Sequence, residues 1–282
     1  MDRPGSAVLA LARACHPGPT VLVTVLAVAL ALGTGAGGWT VAVVGAAVLA
    51  GQLSIGWSND WIDAGRDLAA GRHDKPVVAG LVSEHVLRRA SLLAAAACVP
   101  LSFAVGWRGG LAHVAAVAGG WAYNGALKAS VWSWAPFAVS FGLLPIFVVL
   151  ALPGHPRPAA WAVSAAALLG AGAHLANVLP DLEDDHATGV RGLAHRLGRR
   201  TSSVLAPAVL LVAGGLAVLG PAGAPDPPAW LLGALVGAIA VSAGVVAVAA
   251  PRSRLPFTLT MVVAALCCVL LVRVGDQVVL PI

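Results

Sequence analysis

Nine stretches of mostly apolar residues follow one another along the chain, at roughly 18–36, 39–57, 83–106, 110–127, 132–152, 158–179, 203–220, 228–249 and 256–274. Each is about as long as a helix needs to cross a hydrocarbon core about 30 Å thick, which takes about 20 residues. In lipid, only helices or closed barrels satisfy every backbone group. The blocks are long runs of Ala, Val and Leu rather than short alternating strands, so helices are expected. Charge is scarce: 59% of the 282 residues are apolar and 10% charged, with a mean hydropathy of +0.89. A soluble domain carries about 25% charge. A disordered tail, a coiled coil and an ordinary soluble enzyme are excluded. The expected fold is all-α, a polytopic membrane protein of about nine transmembrane helices, with 1–282 as a single domain.

The net charge of +5 and pI near 9.6 are read as membrane topology, and no nucleic-acid partner is expected. With the N-terminus in the cytoplasm, 14 of the 17 basic residues fall on that side, and only Arg108, Arg157 and Arg273 fall opposite. Cytoplasmic loops carry such an excess. The expected location is a cell membrane, with the N-terminus inside and the C-terminus outside. Arg3 and Arg13 ahead of 21–32 look like a signal peptide, but cleavage would leave an even number of helices and spoil the charge split. Gly33/Gly37 and Gly233/Gly237 recur at the spacing that lets helices approach closely. Cys15, Cys98, Cys267 and Cys268 show no metal or disulfide spacing.

Nine of the 12 acidic residues lie in two clusters, one between Asp60 and Glu84 and one between Asp181 and Asp185. Both fall at the cytoplasmic end of an even-numbered span. If the second helix continues past Trp57, Asp60, Asp63 and Asp67 stand at i, i+3 and i+7 on one face, with Asn59 beside them. Asn177, Asp181 and Asp185 make an i, i+4, i+8 row, which Pro180 is expected to kink. Carboxylates packed in this way repel and need a cation. Oxygen ligands without His or Cys suit a hard ion such as Mg²⁺, held by one or two carboxylates together with substrate phosphates. Two Asp-rich helix ends facing each other can bind a diphosphate through such ions, which stabilise it as a leaving group. The apolar helices would take up an isoprenoid tail and keep water from a carbocation.

In this order the residues resemble the UbiA superfamily of intramembrane prenyltransferases. Asn59, Asp60, Asp63 and Asp67 match its N-D-x-x-D-x-x-x-D motif, and Asp181 and Asp185 match its D-x-x-x-D motif. Residues 75–80 look like its R-P-x-x-x-G turn, with Lys75 in place of Arg. Residues 189–198 look like its G-x-[KR]-T-L-x-x-R-L-G segment, with Gly192 in place of Thr. Residues 123–128 resemble its Y-x-x-x-L-K stretch. The resemblance implies helices around a central cavity, capped on the cytoplasmic side. It implies Mg²⁺-dependent ionisation of an isoprenyl diphosphate and transfer of the prenyl group to an acceptor, often aromatic. Asn59, Asp60, Asp63, Asp67, Asp181 and Asp185 would hold Mg²⁺ and the diphosphate. Arg66, Arg72, Lys75, Lys128 and Arg191 are the candidate diphosphate contacts, Lys75 and Lys128 foremost because they are the only lysines. Tyr123, the only tyrosine, would sit over the reaction centre. Tyr123, Lys128, Asp63 and Asp181 are the candidate catalytic residues.

Trp57 and Trp61 flank the first Asp row and are placed against the prenyl cavity, whereas Trp132 and Trp134 read as interfacial anchors. His174 reads as a packed histidine, with a base facing the cavity as the alternative. His73, His186 and His195 read as solvated loop residues. The nearest rival function is a terpene cyclase using the same metal site without a separate acceptor. Phosphoribosyl transfer would call for more polar groups. A cation transporter would call for carboxylates deeper in the spans.

Overall fold

The computed structural model describes residues 4–154, 156–187 and 189–281, so Arg3 and the side chain of His186 lie outside the described residues. The helices are α1 (Pro4–Ala14), α2 (Pro17–Gly33), α3 (Gly38–Ala69), α4 (Glu84–Phe103), α5 (Trp107–Gly125), α6 (Ala135–Leu150), α7 (Ala160–Val178), α8 (Leu182–Ala187), α9 (Leu193–Leu197), α10 (Arg199–Leu219), α11 (Pro227–Ala249), α12 (Leu255–Arg273) and α13 (Gly275–Val278). Single 3₁₀ turns stand at Leu127–Ala129 and Leu179–Asp181.

A helix occupies each of the nine expected positions. In the order α2, α3, α4, α5, α6, α7, α10, α11 and α12, each packs on its neighbour, and α12 returns to α2 and closes a ring. Length and apolarity mark six spans: α3, α4, the run Ala160–Asp185, α10, α11 and α12. The bent α1–α2 pair is a seventh if taken as one crossing, whereas α6, with 16 residues, is shorter. Nine helices therefore make up the ring among the described residues, but length and composition establish six to seven crossings rather than nine.

The core joins α2, α3, α5, α6, α7, α10, α11 and α12. Its centre is Phe147, Val148 and Val149 of α6, each fully buried. Three successive buried residues mean that this turn of α6 is covered on all sides, whereas Val139, nearer its start, is exposed. Gly33 backs onto Val272 and Gly233 onto Val218, so those two expected close approaches are real, while Gly37 has open space beside it. At the end of the ring away from the aspartates, strands β1 (Arg157–Pro158) and β2 (Val279–Leu280) pair antiparallel and tie the last residues to the start of α7.

Two local features position the site. First, α3 has 32 residues, about a dozen more than a crossing requires. The surplus at its C-terminal end carries Asp60, Asp63 and Asp67. Second, Pro180 has no N–H to continue α7. The helix stops at Val178, tightens into the 3₁₀ turn that ends on Asp181, and resumes as α8.

Candidate active site

The aspartates of α3 share one face, and each meets cations brought by other parts of the chain. Asp60, 1% exposed, has Oδ1 3.0 Å from Nε2 of His16, at the α1–α2 corner, and 2.5 Å from Nζ of Lys75. Asp63 accepts from Lys128 Nζ, and Arg66 Nη1 lies 3.4 Å away, one turn along. Asp67 Oδ1 lies 3.9 Å from Arg72 Nη1, while its Oδ2 is buried with no hydrogen-bond partner. Asn59 donates to Asp63 Oδ2 (3.3 Å) and to Asn124 Oδ1 (3.2 Å). Asn124 in turn donates to the Ile55 carbonyl and to Ser58 Oγ, each at 2.9 Å.

The second motif comes to the same place. Asp181 Oδ2 lies 3.2 Å from Arg72 Nη1 and its Oδ1 3.6 Å from Arg254. Asp185 Oδ2 is 3.6 Å from His195 Nε2, and Glu183 is paired with Arg199. One guanidinium thus spans the two aspartate motifs. Tyr123 lies within electrostatic reach of both Asp63 and Asp185, and its ring packs edge-on against Phe137 (5.0 Å between centroids) and His174 (5.7 Å).

Two cations carry the electrostatic imprint of this setting. Burial pushes the Lys128 ammonium below the usual lysine range, although Asp63 works against the shift. Burial also opposes the Arg72 charge, but Asp181 and Asp67 outweigh it and hold Arg72 above the ordinary arginine value.

The loops that close this end are clasped together at Ser133. Its Oγ accepts from the Leu193 amide (2.9 Å) and lies 3.0 Å from His174 Nε2. Gly192 rests against the Lys128 carbonyl, which a Cβ would meet at 2.6 Å. The Gly192 backbone is extended (φ −65°, ψ −178°), so close approach rather than backbone freedom calls for glycine here.

Several expectations are corrected. Trp57 does not face a prenyl cavity: its Nε1 donates to the Leu11 carbonyl of α1 at 2.9 Å. Trp61 turns to Trp121 and lies under Arg88. His195 is not solvated; its side chain is 2% exposed because residues 191–197 fold back over the clasp. Asn177 is exposed, and the 3₁₀ turn breaks the regular spacing from it to Asp181. His174 is 1% exposed and packed, as its position suggested. Sequence reasoning overlooked His16, Asn124 and Ser133. Asn124 was within reach, because it follows Tyr123 in the quoted motif.

The donors fit a hard divalent ion. They are carboxylate and amide oxygens on two facing helix ends, and one, Asp67 Oδ2, is buried without a partner. Among the described residues, no three His, Cys, Asp or Glu side chains form a group able to hold an ion by themselves.

A family model described as the UbiA prenyltransferase family matches residues 20–266. No curated protein sequence matches significantly. Among solved structures, a UbiA homologue from Archaeoglobus fulgidus bound to GPP and Mg²⁺ is similar at a TM-score of 0.72 and 16% identity, over 95% of this chain and 99% of that one. An apo UbiA homologue from Aeropyrum pernix K1 gives 0.71 and 18%, over 91% and 96%. A structure described as digeranylgeranylglyceryl phosphate synthase gives 0.63 and 13%, over 95% and 97%. At these identities the likeness is one of fold.

Proposed function

Because the chain belongs to the UbiA prenyltransferase family, we propose that it ionises an isoprenyl diphosphate with the help of Mg²⁺ and transfers the prenyl group to an acceptor, a small aromatic molecule, inside the membrane. The whole chain acts as one domain, with its aspartate-bearing end and N-terminus towards the cytoplasm and its C-terminus outside. The observation that carries this reading is the Arg72 guanidinium, which draws Asp67 and Asp181 to a common point. A solved relative of the same fold, described as bound to GPP and Mg²⁺, supports it.

Asn59, Asp60, Asp63, Asp67, Asp181 and Asp185 would hold the ion and, through it, the diphosphate. When bound, Mg²⁺ supplies positive charge that stabilises the departing diphosphate. Arg66, Arg72, Lys75 and Lys128 already sit on the carboxylates as their neutralising partners. Their flexible side chains can turn from carboxylate to diphosphate oxygens, so the residues that hold the free site together also receive the donor. Arg191 contributes only by swinging inwards from its exposed strap. Tyr123, half-buried and edge-on to Phe137, would supply the aromatic group that stabilises an allylic cation.

The same ion-and-diphosphate site would also serve internal cyclisation of the donor without a separate acceptor. Product analysis separates the two. A prenylated aromatic formed from donor plus acceptor supports transfer, and a cyclic hydrocarbon or alcohol formed from donor alone identifies a cyclase.

A further inference from the structure

We propose that His16 is a positioning residue that fixes the Asp60 carboxylate for the divalent ion from the corner between α1 and α2. The inference rests on the metal–diphosphate reading above. α1 and α2 meet at 71°, and His16 sits in the bend at φ 55°, ψ 68°. It is the only non-glycine residue at positive φ among the described residues. Glycine adopts this left-handed conformation at no steric cost, and other residues only where their surroundings impose it.

The surroundings do impose it. Trp57 Nε1 donates to the Leu11 carbonyl before the bend (2.9 Å), and Thr20 Oγ1, in the first turn of α2, donates back across the bend to the Cys15 carbonyl (2.7 Å). Gly56 lies so close to the Cys15 carbonyl that a Cβ would not fit. The chain just before His16 is therefore held to α3 at Leu11 and Cys15, and Thr20 of α2 closes the bend from the other side, by contacts that do not involve the His16 ring.

What the histidine adds is the ring itself. Nε2 lies 3.0 Å from Asp60 Oδ1 and 3.4 Å from Lys75 Nζ; because an ionised carboxylate only accepts, the bond to Asp60 takes the tautomer with the hydrogen on Nε2. Lys75 shares that oxygen. Lys75 is also a diphosphate contact in the proposed function, and once it turns to the donor, His16 alone keeps the first aspartate of the motif oriented. Partners of this kind behind a metal ligand set its geometry. A backbone strained to place one side chain on a ligand carboxylate is the pattern of a functional constraint.

The test uses full-length protein in lipid nanodiscs, with Mn²⁺ as a paramagnetic probe titrated in the presence of inorganic diphosphate, alongside thermal unfolding. His16→Gly relieves the backbone and removes the ring, so it is expected to unfold at an equal or higher temperature yet bind Mn²⁺ about tenfold more weakly. His16→Gln, whose amide N–H reaches as far as Nε2, is expected to recover part of that affinity. Wild-type affinity in His16→Gly, or a parallel fall of affinity and unfolding temperature, would overturn the inference. Failure of the wild type itself to bind Mn²⁺ would overturn the metal-site reading, and the role of His16 with it.

Discussion

Asp67 and Asp181, on helix ends far apart in the sequence, meet at one guanidinium: Arg72 Nη1 lies 3.9 Å from Asp67 Oδ1 and 3.2 Å from Asp181 Oδ2. Replacing Arg72 with Ala leaves two carboxylates facing each other without their shared cation. Donor turnover, kcat/KM for diphosphate release, is expected to fall about 100-fold, at the upper end of what losing a charge-assisted hydrogen bond costs. Arg72→Lys keeps the charge but not the planar fork, so it should recover less than half of the lost transition-state free energy. Wild-type kcat/KM in Arg72→Ala would detach this residue from the site.

Asp67→Asn separates charge from shape. Oδ2 of Asp67 has no hydrogen-bond partner to lose, so the unfolding temperature should change by no more than a few degrees, on the order of 1 kcal/mol for a domain of this size. Diphosphate release should nevertheless disappear, and Asp181→Asn and Asp60→Ala should behave likewise. Retained turnover in all three, measured with the fold verified by circular dichroism, would remove the metal assignment.

Gly192→Thr restores the residue of the family pattern but collides with this chain's own packing. A Cβ at this position would meet the Lys128 carbonyl at 2.6 Å and Ser133 Oγ at 2.8 Å. Because the nearest atom is backbone, the strap must move, at a cost of about 1–3 kcal/mol. Thermal unfolding should show that loss together with a raised KM for the donor, because Lys128 belongs to the displaced loop.

Tyr123→Phe keeps the edge-on packing against Phe137 and His174 and removes only the hydroxyl. The rate or the product distribution should change while donor affinity stays within about twofold, a signature of a group that acts in the transition state rather than in binding. An unchanged rate and product spectrum would leave Tyr123 a packing residue.

Much of this architecture was legible in the sequence because charge is so rare in it. In a chain with 12 acidic residues, three aspartates at i, i+3 and i+7 mark a helix face without ambiguity, and the apolar runs between charges mark the nine helices of the ring. The number of crossings was less legible. α6 has only 16 residues and its last full turn is enclosed by protein, so its apolar character reflects burial in the ring as much as contact with lipid. The pairing of each aspartate with its cation depends on which loops return to the same place, and local spacing carries no trace of that. Trp57 and His195 were misplaced for related reasons. The short helix α1, which covers Trp57, precedes the first apolar run, and the polar segment that carries His195 is folded inwards by Ser133, a contact between distant parts of the chain. His16 escaped notice because its conformation is imposed by neighbours on α3, while its own sequence context reads only as a break before Pro17.

The central claim is that the two aspartate motifs act together on a diphosphate through a divalent ion. It is tested most directly by measuring release of inorganic diphosphate from geranyl, farnesyl and geranylgeranyl diphosphates by the purified protein, with Mg²⁺ and after its removal by chelation. The account predicts release from at least one donor that depends on Mg²⁺ and is lost in both Asp67→Asn and Asp181→Asn. Release that persists without the ion or in either variant, or no release from any donor, would contradict it.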